Sequence, residues 1–324
     1  MVLIDRFGRE VKGVRISVNT SNECNWNCTF CHKEGVEIER GTIMNSDEIQ
    51  RIMRILVKFG VKKIKITGGE PMLRKDIVEI ISKLNNLNVD EISMTTNGTK
   101  LAKTAKELKE AGLSRVNISL HSLREDRFKL ITGNGNLNST LKAINEAVDA
   151  DLTPVKLNVV LLKGINDDET EDLINYASSL NKNEEKVILQ LIELVYEGRA
   201  TKNNFYQRFH FKLDKIEDKL RKLAIKIVER KLHFRNKYVL PNNVVIEIVR
   251  PMHNSRFCMG CNRIRITHDG KFKPCLLRED NYVDFLTPIR NGASDEELVK
   301  LFKHAVYLRE PYFKPDNYST KLAK

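Results

Sequence analysis

The sequence predicts an α/β fold with parallel strands, arranged as a barrel or as an open doubly wound sheet, with a smaller module behind it. Three observations predict it. Strand-like and helix-like runs alternate six times between residues 14 and 192 over short connections, and such alternation makes the strands parallel through right-handed crossovers. The alternation stops at Val195, where a polar stretch rich in Asn, Arg and Tyr begins. The roughly ninety residues at the C-terminal end form a module small enough to need a metal staple.

The elements follow in order. The β-branched and apolar run at 14–18 is the first strand, and a cysteine-bearing loop leaves its end. Ser46 or Asp47 caps a helix that puts Ile49, Ile52, Met53 and Leu56 on one face. A strand at 63–67 runs into the turn Gly68-Gly69-Glu70-Pro71, then come a helix bearing Ile77, Ile80, Ile81 and Leu84 and a strand at 92–96. The pattern repeats with a helix near 101–111, a strand at 116–120, a helix at 137–150 and a strand at 155–161. Gly164 breaks the chain before a helix at 169–180, and 187–192 is the sixth strand. Past the polar stretch, a long basic helix is expected over 213–232 and a short strand at 244–249. The expected domains are 1–235 and 236–324.

Composition narrows the function classes. With 41% hydrophobic and 30% charged residues the 324-residue chain reads as globular. It has no apolar run near eighteen residues, and its first ten residues lack a signal peptide's long apolar region. The expected location is the cytoplasm. A formal net charge of +12 invites a nucleic-acid partner. However, lysines such as Lys100, Lys103, Lys106 and Lys109 are interleaved with acids on helix faces, so solvated surfaces or an anionic small substrate explain the charge better.

The six cysteines fall into two groups of three, Cys24/Cys28/Cys31 and Cys258/Cys261/Cys275. The first reads C-x₃-C-x₂-C. Disulfides so close in sequence would be strained, whereas three thiolates can wrap a compact inorganic centre. Three ligands on a four-iron cluster leave one iron open to a substrate or cofactor, while zinc completed by His32 is the alternative. In the second group, zinc completed by His268 is again the rival. There Asn262-Arg263-Ile264-Arg265 follows Cys261 directly, and on a strand Arg263 and Arg265 point to one side, where two guanidiniums suit a phosphate or another planar anion. The Gly-Gly-Glu-Pro turn stands at the same end of the sheet as the first cysteine loop, where parallel α/β folds bind ligands. Lys65 and Lys156 sit inside apolar strands, which calls for a bound anion or a strand-borne acid beside each.

The cysteine spacing, with Phe30 before the third cysteine, and the Gly-Gly-Glu-Pro turn resemble the radical S-adenosylmethionine enzymes. The order of Asp5-Arg6-Phe7-Gly8-Arg9, Val14-Arg15-Ile16-Ser17, Thr95-Thr96-Asn97-Gly98, Val116-Asn117-Ile118-Ser119-Leu120, Gly164-Ile165-Asn166-Asp167 and 258–265 resembles the GTP-cyclising branch of that family, which opens molybdenum cofactor biosynthesis. The resemblance implies a partial (βα)₆ TIM-type barrel with a small C-terminal iron-sulfur cluster module. It implies two 4Fe-4S clusters, on Cys24, Cys28 and Cys31 and on Cys258, Cys261 and Cys275, and S-adenosyl-L-methionine on Phe30, Gly69, Glu70, Ser119 and Val195. GTP is expected on Arg15, Lys65, Thr95, Lys156, Arg263, Ile264 and Arg265. A deoxyadenosyl radical would take the ribose C3′ hydrogen and the carbon radical would attack guanine C8, with Arg263 or Arg265 assisting the last step. Expected partners are GTP, an electron donor, the next enzyme of molybdopterin synthesis and a second copy of the chain, with no membrane and no nucleic acid. The chain departs from the family at Gln190 and Val195, where arginine and methionine are common, at Lys65 in place of arginine, and at its end Leu322-Ala323-Lys324, where a double glycine is usual. The rivals are another radical enzyme with an auxiliary cluster, such as a peptide modifier, and a zinc-stapled RNA-binding protein.

Overall fold

The computed structural model describes residues 1–36, 42–181 and 184–315; the terminal Leu322-Ala323-Lys324 lies outside them. The first part of the chain gives β1 (Gly13–Ser17), α1 (Ser46–Lys58), β2 (Lys63–Thr67), α2 (Ile77–Asn85), β3 (Glu91–Thr96), α3 (Ala105–Glu110), β4 (Arg115–Ser119), α4 (Glu125–Thr132), α5 (Leu137–Asp149), β5 (Val155–Leu161), α6 (Thr170–Asn181) and β6 (Val187–Glu193). The six expected strands and their crossover helices are all present. Asn45, one residue ahead of the expected cap, closes a capping box with Glu48 at the start of α1. The short α4, carrying buried Phe128 and Ile131, has no counterpart in the sequence reading.

The second part gives α7 (Phe205–Phe209), α8 (Asp214–Leu223), β7 (Lys226–Glu229), β8 (Asn236–Val239), β9 (Val245–Val249), α9 (Ser255–Met259), β10 (Arg263–Ile266), β11 (Lys271–Lys273), β12 (Val283–Asp284), α10 (Leu286–Arg290) and α11 (Asp295–Tyr307). The long helix expected over 213–232 is therefore corrected. It ends at Leu223, and the β-branched pair Ile227-Val228 continues as a strand antiparallel to β8.

One twelve-stranded sheet results, in the order β12-β11-β10-β1-β2-β3-β4-β5-β6-β9-β8-β7. From β10 through β1–β6 to β9 every neighbouring pair is parallel, and the outer strands are antiparallel. The order has two ends and the sheet does not close, which is a partial barrel. Strands after residue 235 do not stand apart: β9 extends the β6 edge and β10 the β1 edge, so the C-terminal segment embraces the six-stranded sheet from both sides.

Alternation decides what faces where. In β2, Ile64 and Ile66 are buried among α1, α2 and other apolar side chains, while Lys65 and Thr67 face the lumen. In β10, Ile264 and Ile266 belong to the core and Arg263 and Arg265 to the lumen. No helix among the described residues is long and apolar enough to cross a membrane.

Candidate active site

The lumen opens on a cavity of about 420 Å³, within the range of small-molecule sites. Both cysteine groups line it, together with Arg15, Phe30, Lys65, Gly69, Glu70, Thr95, Ser119, Lys156, Val195, Arg263 and Arg265. The structure thus brings together every expected site residue except Ile264. That side chain is 0% exposed and lies in the apolar core on the opposite face of β10, because alternation turns it away from its two arginine neighbours.

The first cysteine loop is seated by contacts on three sides. A Cβ on Gly69 would lie 2.3 Å from the Glu23 carbonyl oxygen and 2.4 Å from that of Thr20, so only glycine lets the turn after β2 pack against the segment leading to Cys24. The Glu70 N–H donates to the Glu23 carbonyl at 2.8 Å. From the other side Arg199 donates its N–H to the Cys31 carbonyl at 3.0 Å and Nη1 to that of Cys28 at 3.1 Å. Thr29 donates its N–H to the Ile131 carbonyl of α4 at 3.0 Å.

The Glu70 carboxylate is spent on the protein itself. It accepts from Thr96 Oγ1 at 2.6 Å, Asn97 N–H at 2.7 Å and Met72 N–H at 3.0 Å. Burial nevertheless pushes its carboxyl up. It ties the turn after β2 to the end of β3, a role the sequence reading, which set it beside the cofactor, did not contain.

Glu34 is a residue that sequence reasoning missed. Lys33 and Glu34 both have positive φ, 49° and 54°, an uncommon conformation for residues with a Cβ, and Glu34 is buried between the two modules. Its Oε1 accepts from Arg15 Nη2 at 2.8 Å and Thr67 Oγ1 at 2.8 Å, and its Oε2 from Arg265 Nη1 at 2.7 Å. Burial alone would raise its carboxyl, but Arg15, His32 and Arg265 outweigh it and hold the group ionised. The signal was present in an acid three residues after the last cysteine of a ligand loop.

The two buried lysines separate. Lys156 donates to Glu247 Oε1 at 2.5 Å, so the strand-borne acid is present in β9. Glu247 also meets Arg230 Nη1 at 2.8 Å and Arg235 Nη2 at 3.6 Å. Burial would raise its carboxyl, but Lys156, Arg235 and Arg230 together bring it down to about 2. Lys65 is different: its Nζ donates to the neutral Asn117 Oδ1 at 2.6 Å, and no ion pair to it is formed among the described residues. Burial first, then Arg115, Arg263, Arg15 and Lys156, push its ammonium far below the ordinary lysine range.

The second cysteine group is braced by a buried trio. Arg9 Nη1 donates to the Cys258 carbonyl at 2.9 Å and Arg309 Nη2 to the Cys261 carbonyl at 2.8 Å, and both arginines pair with Asp5 Oδ2, at 2.8 and 3.1 Å. Burial would raise the Cys261 thiol, but Arg309, Arg9 and Arg263 pull it below its ordinary value. These pairings give the Asp5-Arg6-Phe7-Gly8-Arg9 stretch its structural meaning.

All six cysteines are free. His268 is buried and does not line the cavity that all six cysteines line. His32 accepts the Glu34 N–H on Nδ1 at 3.0 Å. Two soft trithiolate sets facing one cavity fit two iron-sulfur centres.

Residues 18–177 match the model of the radical SAM superfamily, and residues 187–315 match Molybdenum Cofactor Synthesis C. A probable GTP 3′,8-cyclase of Pyrococcus abyssi is 49% identical over 96% of the chain and 100% of that relative. One from Methanosarcina acetivorans is 45% identical over 100% and 93%. Among solved structures, Streptococcus suis SuiB bound to S-adenosylmethionine superimposes with a TM-score of 0.60 at 14% identity, covering 93% of this chain and 76% of SuiB. Native anSMEcpe with bound AdoMet gives 0.59 at 17%, covering 90% and 81%. At such identities the two structures establish the fold alone.

Proposed function

The chain belongs to the radical SAM superfamily and, within it, to the GTP 3′,8-cyclases, and on that premise we propose that it converts GTP to the 3′,8-cyclised dihydro-GTP that opens molybdenum cofactor biosynthesis. The observation that carries this reading is the single cavity onto which both cysteine triplets and a set of buried cations open. Cys24, Cys28 and Cys31 would hold one 4Fe-4S cluster, and Cys258, Cys261 and Cys275 the second. Bound there with S-adenosylmethionine, the first cluster supplies a 5′-deoxyadenosyl radical competent to take the ribose C3′ hydrogen.

The protein's own part is binding, orientation and charge. Phe30, Gly69, Ser119 and Val195 would border the cofactor, with Glu70 fixing the turn that carries Gly69. Arg15, Lys65, Thr95, Lys156, Arg263 and Arg265 would border GTP, Ile264 contributing backbone only. Lumen-facing arginines and lysines outnumber carboxylates, which favours a polyanion over a peptide. Arg263 and Arg265 stand beside the second triplet, where the last electron and proton of the cyclisation would be handled. Radical formation consumes an electron, so a one-electron donor is required, and the product would pass to the next enzyme of molybdopterin synthesis. Six free cysteines acting as ligands suit the reducing cytoplasm. The exposed edge strand β7, with Ile227 44% exposed, is where a second copy could pair.

The test is anaerobic. Protein reconstituted with iron and sulfide is given dithionite and S-adenosylmethionine, and 5′-deoxyadenosine is measured with GTP, with ATP and with neither. Strong stimulation by GTP alone supports the reading. Cleavage indifferent to GTP would keep a radical enzyme and discard the cyclase.

A further inference from the structure

The ribbon that replaces the expected long helix delivers two charged residues to the lumen. Arg230 follows β7 and Arg235 precedes β8, and the Arg230 N–H donates to the Arg235 carbonyl at 2.8 Å, closing the turn between them. The tip of the turn is pinned to the second cysteine loop. The His233 N–H donates to the Gly260 carbonyl at 2.7 Å, and its ring stacks on Phe257 at 3.9 Å between centroids. A Cβ on Gly260 would meet Phe234 at 2.8 Å. Both arginines are therefore held against the cavity, which they line.

Charge is out of balance at this point. The fully buried Glu247 is shared by Lys156, Arg230 and Arg235, three cations on one carboxylate. Its remaining neighbour on β6, Gln190, is a neutral amide whose Nε2 lies 3.4 Å away. The Arg235 side chain is only 9% exposed, and its Nε has no hydrogen-bond partner among the described residues. A buried cation without counter-charge is costly unless an anion joins it. The planar guanidinium fork matches phosphate oxygens.

We propose that Arg230 and Arg235 bind the phosphate chain of the substrate, and that Glu247 is the positioning residue that holds them beside Lys156. On this arrangement the ribbon supplies the positive charge that β6, with Gln190, does not. The inference rests on the reading of GTP as substrate and adds two ligands for its triphosphate.

Calorimetric titration of the reconstituted, oxygen-free holoprotein with GTP, GMP and guanosine tests it. The wild type should bind GTP far more tightly than guanosine. Arg230→Gln and Arg235→Gln should each weaken GTP about tenfold to a hundredfold, the worth of a charge-assisted hydrogen bond, and leave guanosine affinity in place. Arg235→Lys should recover part of the loss, since it keeps the charge and loses the fork. Unchanged GTP affinity in both glutamine variants overturns the proposal. So does an equal fall for GTP and guanosine, which marks a merely structural role. Absence of GTP binding by the wild type is a separate failure: it removes the cyclase reading, and this inference falls with it.

Discussion

Replacing Lys65 with methionine should make the empty protein more stable and the enzyme worse. Lys65 is 5% exposed, its ammonium donates to a neutral amide oxygen, and its strongest electrostatic neighbours are other cations. A hydrogen bond from a charged group contributes about 1.5–3 kcal/mol, but several kcal/mol of desolvation and repulsion oppose it. The Asn117 oxygen is not orphaned by the change, because Arg115 Nη1 still donates to it at 2.9 Å. The balance favours Lys65→Met by about 1–3 kcal/mol near neutral pH, with GTP bound about tenfold to a hundredfold more weakly. The sign with pH follows from the depressed ammonium. As pH rises through the folded-state value toward the unfolded value of 10.5, the native state sheds a proton that the unfolded state keeps, so the wild type gains stability and the variant's advantage fades. Denaturation of both proteins at several pH values, with parallel GTP titrations, measures all of this. A variant that is less stable without ligand, yet binds GTP as the wild type does, would refute the reasoning.

Three further outcomes are expected. Gly69→Ala cannot place its Cβ beside the Glu23 and Thr20 carbonyls, so the segment before Cys24 must shift; iron bound per chain should fall toward half after reconstitution, and full iron content would contradict the packing argument. Glu34→Gln keeps the shape but removes the counter-charge of Arg15 and Arg265, lowering stability by about 3 kcal/mol; saturating GTP should shrink the deficit in a thermal scan, and an equal deficit with and without GTP would mean these arginines do not meet the nucleotide. Arg265→Ala should reduce GTP turnover far more than uncoupled cofactor cleavage, both followed as products over time, whereas equal loss of the two would count against its place beside the substrate.

The sheet's central part was legible because its physics is local. Each of β1 to β6 is a short β-branched run bounded by turn residues, and each crossover helix shows a buried face at helical spacing. Cysteine spacing likewise made both ligand loops visible. What escaped were features set by distant partners. The basic run after Leu223 carries helix-forming lysines and arginines, but pairing with β8 and the Gly260 carbonyl decides its conformation. Glu34 follows the first cysteine loop closely, but only the pairing of β10 with β1 sets Arg265 beside Arg15 and gives it two arginines. The acid that pairs with Lys156 lies 91 positions away on β9, and none pairs with Lys65 among the described residues, a difference no local pattern encodes. The second module appeared separate because its strands are contiguous in sequence, yet they pair to opposite edges of one sheet.

The most direct test of the central claim follows one atom. GTP carrying deuterium at ribose C3′ is turned over by the reconstituted protein with dithionite and S-adenosylmethionine, and the 5′-deoxyadenosine formed is weighed by mass spectrometry. The account predicts one deuterium in that product from 3′-labelled GTP and none from GTP labelled at another ribose carbon. Unlabelled 5′-deoxyadenosine from 3′-deuterated GTP, formed alongside the cyclised product, would contradict it.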